Sequence, residues 1–268
     1  MNIKNKVIIV TGAGNGMGRE ITLQLLKKGA RVAAVDLKQS FLDETQSLAG
    51  AQAAQLTLHA IDIADQAAVD ALPEAVIAAH GTIDGVMNVA GIIQPFIKVA
   101  ELDIATIQKV MNVNFYGTVY MVKACLPYLL KRPEAHILNV SSMGGFLPVP
   151  GQSIYGASKA AVKLFTEGLS SEMAGTNVGV SIIFPGAIGT NITQNSGVKV
   201  PGMSDSKAAS EYKVMPAVKA AEKIVEAMEK NIFRVMVGSD ASFMDKLYRL
   251  APVFAKKFIA KKMASLIK

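Results

Sequence analysis

The sequence predicts one α/β domain, a doubly wound parallel sheet of about seven strands with helices on both faces. Three observations predict it. Short Val- and Ile-rich runs alternate with longer amphipathic stretches, the order that builds a parallel sheet from strand–helix–strand units. The runs are continuously apolar rather than alternating, as strands are when helices cover both faces. The first run passes directly into a glycine-rich turn, Thr11-Gly12-Ala13-Gly14-Asn15-Gly16-Met17-Gly18.

Strands are expected over Lys6–Thr11, Arg31–Asp36, Gln55–Asp62, Ile83–Val89, His136–Ser141, Val178–Phe184 and Phe233–Val237. Helical patterns fall between them, among them Met17–Lys28, Ile104–Leu130, Tyr155–Met173 and Ala217–Lys230. The stretch Gly186–Pro216 has no strong period and is rich in Gly, Ser, Asn and Lys. It reads as a long functional loop within the domain. Residues 1–240 form the expected domain, and 241–268 a basic amphipathic tail.

The 268 residues suit one large domain. A hydrophobic share of 51% against 18% charged excludes disorder. A mean hydropathy of +0.33 points to extensive burial, subunit contacts or a greasy pocket. The one cysteine, Cys125, sits in an apolar helical stretch and reads as buried filler. With no internal disulfide available, a reducing, cytoplasmic setting is expected. No apolar run reaches the roughly 18 residues of a membrane span, and the run after Lys4 and Lys6 is too short for a signal peptide. The net charge is +7, yet Asp240–Lys268 holds seven basic and two acidic residues. The body is therefore near neutral, and no nucleic-acid partner is expected. His59, His80 and His136 lie on separate elements without ligand spacing, so no metal is expected.

Glycines after a first strand let the backbone turn tightly and approach a pyrophosphate, which the free N–H groups of the next helix attract. Taken alone, the loop also reads as a plain tight turn. Asp36 ends the second strand, 18 residues after Gly18. A carboxylate there can accept both hydroxyls of an adenosine ribose and repels a 2′-phosphate; it can also simply cap a turn. Tyr155 and Lys159, at i and i+4, share one helix face. A lysine cation favours the phenolate and lowers the tyrosine pKa, as an acid/base for alcohol–ketone interconversion needs.

Together these segments resemble the short-chain dehydrogenase/reductase family. The resemblance runs from residue 6 to about 238 and rests on TGxxxGxG, Asn88-Val89-Ala90-Gly91, Ser142 and Tyr155-x-x-x-Lys159. Val89 departs from the family's second Asn. The resemblance implies a Rossmann-type fold, NAD as cofactor and a secondary alcohol or ketone as substrate. It implies cofactor contacts from Gly12, Asn15, Gly16, Met17, Gly18, Asp36 and Leu37. Asp62 and Ile63 would meet the adenine, and Asn88, Ala90 and Gly91 would shape the backbone beside the cofactor. Pro185, Gly186, Ile188 and Thr190 would hold the nicotinamide. Tyr155 would be the acid/base and Ser142 would hold the substrate oxygen, with Ser141 as its rival or a strand-end cap. Lys159 would tune Tyr155 and hold the ribose. Asn114 would position a water reaching Lys159, or else bond its own helix backbone.

Ile93, Phe96, Gly144, Phe146, Pro148, Gln152, Ile192 and Met203 are the expected substrate contacts. They are mainly apolar, with no obvious carboxylate-binding arginine. An apolar substrate, lipid-, terpenoid- or steroid-like, fits them, with a small polar diol or sugar alcohol as the alternative. A non-enzymatic NAD-binding sensor would be expected to lack Tyr155 or Lys159. Epimerases and dehydratases of this type carry longer substrate domains. Apolar residues on more than one face of the two long helices, such as Val119, Met121, Val122, Leu126, Leu164, Phe165 and Leu169, call for cover on both sides. A homodimer or homotetramer is expected. In the tail, Leu247, Leu250, Phe254 and Phe258 fall on one side of a helical wheel, widened by Ala255, Ile259, Met263 and Leu266. Lys256, Lys257 and Lys261 lie opposite, Lys262 breaks the division, and Pro252 should kink or restart the helix. Such a tail either touches an anionic membrane peripherally or packs over the substrate loop or a neighbouring subunit.

Overall fold

A computed structural model describes residues 1–198 and 214–264. Its main sheet has seven strands: β1 (Val7–Thr11), β2 (Arg31–Asp36), β3 (Leu56–Ala60), β4 (Gly85–Asn88), β5 (Ala135–Val140), β6 (Val178–Pro185) and β7 (Arg234–Val237). Their spatial order is β3-β2-β1-β4-β5-β6-β7, and every neighbouring pair is parallel. The order reverses between β1 and β4, the place where such sheets bind ligands beyond the strands' carboxyl ends. Thr11 stands level with Asn88, and Asn88 with Asn139, so three strands deliver their functional ends to one edge.

Seven helices cover the sheet: α1 (Gly16–Lys27), α2 (Gln39–Ala49), α3 (Gln66–His80), α4 (Ile104–Met111), α5 (Gly117–Leu129), α6 (Ser153–Glu172) and α7 (Ala217–Glu229). Ile8 and Val10 face a core built from α1, α2 and α7, including Leu25, Leu42 and Ile224. Val7 and Ile9 face the opposite core, with Val69, Met121, Cys125 and Leu169. Successive β1 residues thus enter different cores, which is why the run is apolar throughout. Each such fully buried side chain contributes about 1.5–3 kcal/mol. Burial pushes the Cys125 thiol up to about 12, so the side chain acts as filler.

Three sequence expectations change. The single helix expected over Ile104–Leu130 is interrupted by a π-helical turn, Asn112–Tyr116, between α4 and α5. Such a turn adds a residue to the helical repeat without altering apolar composition, and it recurs at functional sites. The third strand stops at Ala60, before Asp62. The Asp62 Oδ1 accepts the Ala64 N–H at 2.9 Å, closing a side-chain turn that takes the chain out of the sheet.

The third change is in the tail. It forms two helices, α8 (Ser239–Leu250) and α9 (Pro252–Lys262), broken at Ala251, where Pro252 restarts the helix. The break resets the helical phase, so residues before and after it do not share one wheel. Ala255 and Ile259 pack inward with Met244 and Leu147, flanked by Leu247 and Met263. Leu250 and Phe254 instead stand 86% and 58% exposed. Leu266 lies outside the described residues. The ends of the expected Gly186–Pro216 loop are pinned where Ile188–Gly189 pairs with Met215–Pro216. Among the described residues, no helix is long and apolar enough to cross a membrane.

Candidate active site

The glycine turn is shaped by close approaches. Gly12 has φ +70°, and a Cβ there would lie 2.9 Å from the Ala90 Cα. A Cβ on Gly18 would collide with the Gly12 carbonyl. β1 and α1 therefore meet more tightly than any side chain allows, which leaves the α1 N-terminus open to an anion. Arg19 braces the turn from behind: its guanidinium donates to the Gly14 carbonyl and to Thr45 Oγ1, and it pairs with Glu44 at 2.6 Å. This guanidinium also holds the Glu44 carboxyl below its usual range. Asn15 precedes α1 with an extended backbone and makes no side-chain cap.

Asp36 is docked on this turn. Its Oδ2 accepts the Gly14 N–H at 3.0 Å, and its Oδ1 accepts the Lys38 N–H at 3.2 Å. Leu37 is exposed, while the Lys38 ammonium lies 4.9 Å from the Phe41 ring centroid. Asp62 is exposed and Ile63 is buried in the core beneath Gly117. At the end of β4, Thr11 Oγ1 accepts the N–H groups of Val89 and Ala90. Asn88 donates to Asn139 at 2.8 Å, and its own Oδ1 is buried without a partner.

The chemical end is assembled on α6. Tyr155 and Lys159 both line one cavity. Lys159 is only 3% exposed and donates to the Val140 carbonyl at 3.0 Å. Burial pulls its ammonium down to about 8. Burial pushes the Tyr155 phenol above its ordinary value, opposed by a hydrogen bond with Ser142. That hydrogen bond from Ser142 favours the phenolate. Ser142 Oγ accepts the Gly144 N–H at 3.0 Å, so its own proton remains available to donate. Ser141 also lines the cavity, but its hydroxyl donates to the Lys159 carbonyl at 2.7 Å and fixes α6 to β5.

Asn114 is fully buried on the π turn. It does not bond its own helix through the side chain. Its Oδ1 accepts the Ile92 N–H, and its Nδ2 donates to the Ile92 carbonyl and to Ser158 Oγ, all at 2.8–2.9 Å. It thereby holds the segment after β4 against α6. A Cβ on the intervening Gly91 would stand 3.0 Å from Lys159 Nζ and 3.3 Å from Asn114 Oδ1.

Gln94 and Asp240 escaped the sequence reading. Gln94 is fully buried, and its Oε1 accepts the N–H groups of Ile154 and Tyr155 at 2.7 and 3.0 Å. The residue preceding α6, Gln152, makes no side-chain cap; its Nε2 donates to the Gln94 carbonyl at 2.8 Å. Gln94 thus caps α6 from another loop, at a position no local capping pattern marks. Asp240 Oδ2 accepts the Ala187 N–H at 2.7 Å, tying α8 to the Pro185–Thr190 turn. That turn in turn reaches the start of α1: a Cβ on Gly16 would lie 3.3 Å from the Thr190 Cβ.

A cavity of about 1690 Å³ joins these parts. It exceeds the roughly 300–1,000 Å³ of a usual ligand pocket, leaving room for a cofactor end and a substrate together. Its lining includes Met17, Gly91, Ser142, Tyr155, Lys159, and the turn from Pro185 through Gly186 and Ile188 to Thr190. Of the expected substrate contacts it takes in Ile93, Phe96, Gly144, Gln152 and Ile192. Phe146 is instead packed against Phe184, 5.6 Å between ring centroids. Pro148 is also outside the lining, where its neighbour Val149 stands. Met203 lies outside the described residues. The far wall comes from the tail, through Phe243, Met244, Phe258, Ile259 and Met263. Among the described residues, no cluster of three or more His, Cys, Asp or Glu could hold a metal.

Comparison with known proteins agrees with this geometry. The model of the short chain dehydrogenase family matches residues 6–200. SadH of Mycobacterium tuberculosis, named as an oxidoreductase, is 35% identical over 266 residues, 97% of this chain and 95% of that protein. A short chain dehydrogenase/reductase from Burkholderia phymatum in complex with NAD superposes with a TM-score of 0.83 at 26% identity, covering 93% of this chain and 96% of that one. A short chain dehydrogenase from Burkholderia cenocepacia in complex with NADP gives 0.81 at 26% identity, covering 97% and 99%.

The cap on α6 is testable. Gln94→Met leaves two first-turn N–H groups unpaired, which should cost about 1 kcal/mol and lower Tm by about 2–4 °C. It should also lower kcat about tenfold with nicotinamide-cofactor affinity retained, since about 1.4 kcal/mol in barrier is tenfold in rate. Gln94→Glu keeps both acceptor contacts and should restore Tm. Its charge beside Tyr155 should raise the phenol pKa and move the pH–rate profile to higher pH. An unchanged kcat and pH profile in both variants would reduce Gln94 to a filler.

Proposed function

As a member of the short-chain dehydrogenase/reductase family, the chain is an oxidoreductase, and we propose that it interconverts a secondary alcohol and its ketone with NAD(H). The single observation that carries this reading is the convergence of Ser142, Tyr155 and Lys159 on one cavity beside the glycine turn. The cradle around Gly12 and Gly18, and the Asp36 carboxylate beside it, fit a dinucleotide. Gly16, Met17 and Gly18 would hold the pyrophosphate at the α1 N-terminus, with Asn15 beside them. Asp36 and Leu37 would face the adenosine ribose, and Asp62 and Ile63 the adenine. Asn88, Ala90 and Gly91 would flank the cofactor, and Pro185, Gly186, Ile188 and Thr190 would hold the nicotinamide. When bound, the cofactor supplies the hydride acceptor or donor.

The chain's own residues do the rest. Tyr155 takes the alcohol proton in oxidation and returns it in reduction. Ser142 donates to the same substrate oxygen, where charge develops. Lys159 has donors left beyond its bond to Val140; these would hold ribose hydroxyls and bring its charge towards the phenol. Asn114 keeps Gly91 against that lysine. The apolar walls, Ile93, Phe96, Ile192, Met244 and Ile259, favour a lipid-, terpenoid- or steroid-like substrate over a small polar diol. The NAD reading rests on Asp36, on the uncharged Leu37 and on Lys38 being directed at Phe41. A cytoplasmic location fits the single, inert Cys125. The exposed side chains of Tyr116 and Leu164, on the faces of the π turn and α6, support a homodimer or homotetramer built there.

Four measurements test the reading. NAD should be preferred over NADP by at least about tenfold in kcat/KM, or 1.4 kcal/mol, and Asp36→Ala combined with Leu37→Arg should erode or reverse that; equal use by the unaltered protein would defeat it. Tyr155→Phe should lose about 10²–10⁴ in kcat while still binding NADH, and Lys159→Ala should weaken both. Oxidation needs the phenolate, so its rate rises with pH. Ser142→Ala removes a bond that favours the phenolate, so the rise should move to higher pH and not to lower. Sedimentation at micromolar protein should show a dimer or tetramer, and a monomer alone would contradict the assembly.

A further inference from the structure

The two C-terminal helices have two different sides. Inward, Ala255, Ile259 and Met263 pack against the catalytic domain, and Ile259 and Met263 line the cavity. Outward, large apolar side chains are left in solvent. Of the fifteen such side chains among the described residues, five fall in this short stretch: Phe243, Leu250, Val253, Phe254 and Phe258. They are interleaved with exposed Lys246, Arg249, Lys256, Lys257, Lys261 and Lys262. α9 contains no acidic residue. The two carboxylates of α8 are already engaged, Asp240 with the Ala187 N–H and Asp245 with Arg234.

We propose that this face docks on an anionic lipid bilayer and that the cavity receives its substrate there. Interleaved aromatic and basic residues suit the interface, where rings enter the acyl boundary and lysines reach the headgroups. Cationic residues near an anionic leaflet each add attraction. A second copy of the chain fits poorly. A two-fold contact would set this basic patch against itself, and opposed like charges are unfavourable. Phe243 and Phe258 belong both to the exposed patch and to the cavity lining. The patch therefore borders the cavity mouth, and a greasy molecule leaving a bilayer would meet these rings first. The delivery half of the proposal rests on the apolar-substrate reading above; the docking half stands on the surface alone.

The test is co-flotation of the full chain, loaded with NADH, with vesicles of phosphatidylcholine alone or with about a third phosphatidylserine, at low and physiological salt. At least tenfold more protein should float with the anionic vesicles at low salt, and less at physiological salt, where charge is screened. The triple variant Phe254→Ser, Lys257→Glu, Lys261→Glu alters none of the cavity-lining side chains. It should stop floating while keeping its turnover of a water-soluble secondary alcohol. Equal binding to neutral and anionic vesicles, no binding at low salt, or undiminished binding by the variant would overturn the docking proposal. So would loss of the wild-type oligomer in the variant without lipid, because the face would then be a contact between copies. Flotation without turnover of any alcohol would leave docking intact and defeat the enzymatic reading instead.

Discussion

Lys159 carries an ammonium group into a site that is 3% exposed, next to a carbonyl and no carboxylate partner among its described hydrogen bonds. Burying a charge is costly, and the cost shows in a pKa pulled down to about 8. Much of the surrounding structure is explained by the need to keep that side chain in place. Gly91 is compatible with it because a side chain there would press on Nζ. Asn114 clamps the adjoining Ile92 from the π turn, and Ser158 links the same carboxamide to α6. Ser141 bonds the Lys159 carbonyl from β5. A loop, a helix and a strand that are far apart in the chain are therefore fixed relative to one another at the base of the cavity.

The same logic extends outward. α6 delivers Tyr155 only if its first turn is held, and the donors of that turn are met by Gln94 across the site. The loop after β4 thus touches both ends of the Tyr155–Lys159 pair, Tyr155 through Gln94 and Lys159 through Gly91. Asp240 performs a parallel task at the other wall, joining α8 to the Pro185–Thr190 turn. Because α8 and α9 also line the cavity, the tail is part of the site rather than an appendage to it.

The sheet was legible because each strand is apolar on both faces, a pattern that survives without knowledge of neighbours. β2 ends at Asp36 as read, since composition changes where the chain leaves the cores. Tyr155 and Lys159 were legible because their relation is local, one turn apart on one helix. Gln94 was not, because its partners are sixty residues away and its neighbours in sequence are ordinary loop residues. The π turn was hidden because it shifts phase without changing composition. The tail was half legible: its basic, apolar character and the restart at Pro252 could be read, but the reset of phase at Ala251 could not. Phe146 was misassigned because an aromatic beside Gly145 reads equally as pocket wall or core, and its contact with Phe184 decides for the core.

In the proposed reading, Ser142, Tyr155 and Lys159 govern a direct exchange of hydride between a nicotinamide and a carbinol carbon. The most direct measurement follows deuterium from C4-deuterated NADH during reduction of an apolar ketone, with the product analysed by mass spectrometry. A single deuterium is expected at the carbinol carbon of the product, from one face of the nicotinamide only. Product without label at that carbon, or label lost to water, would contradict it.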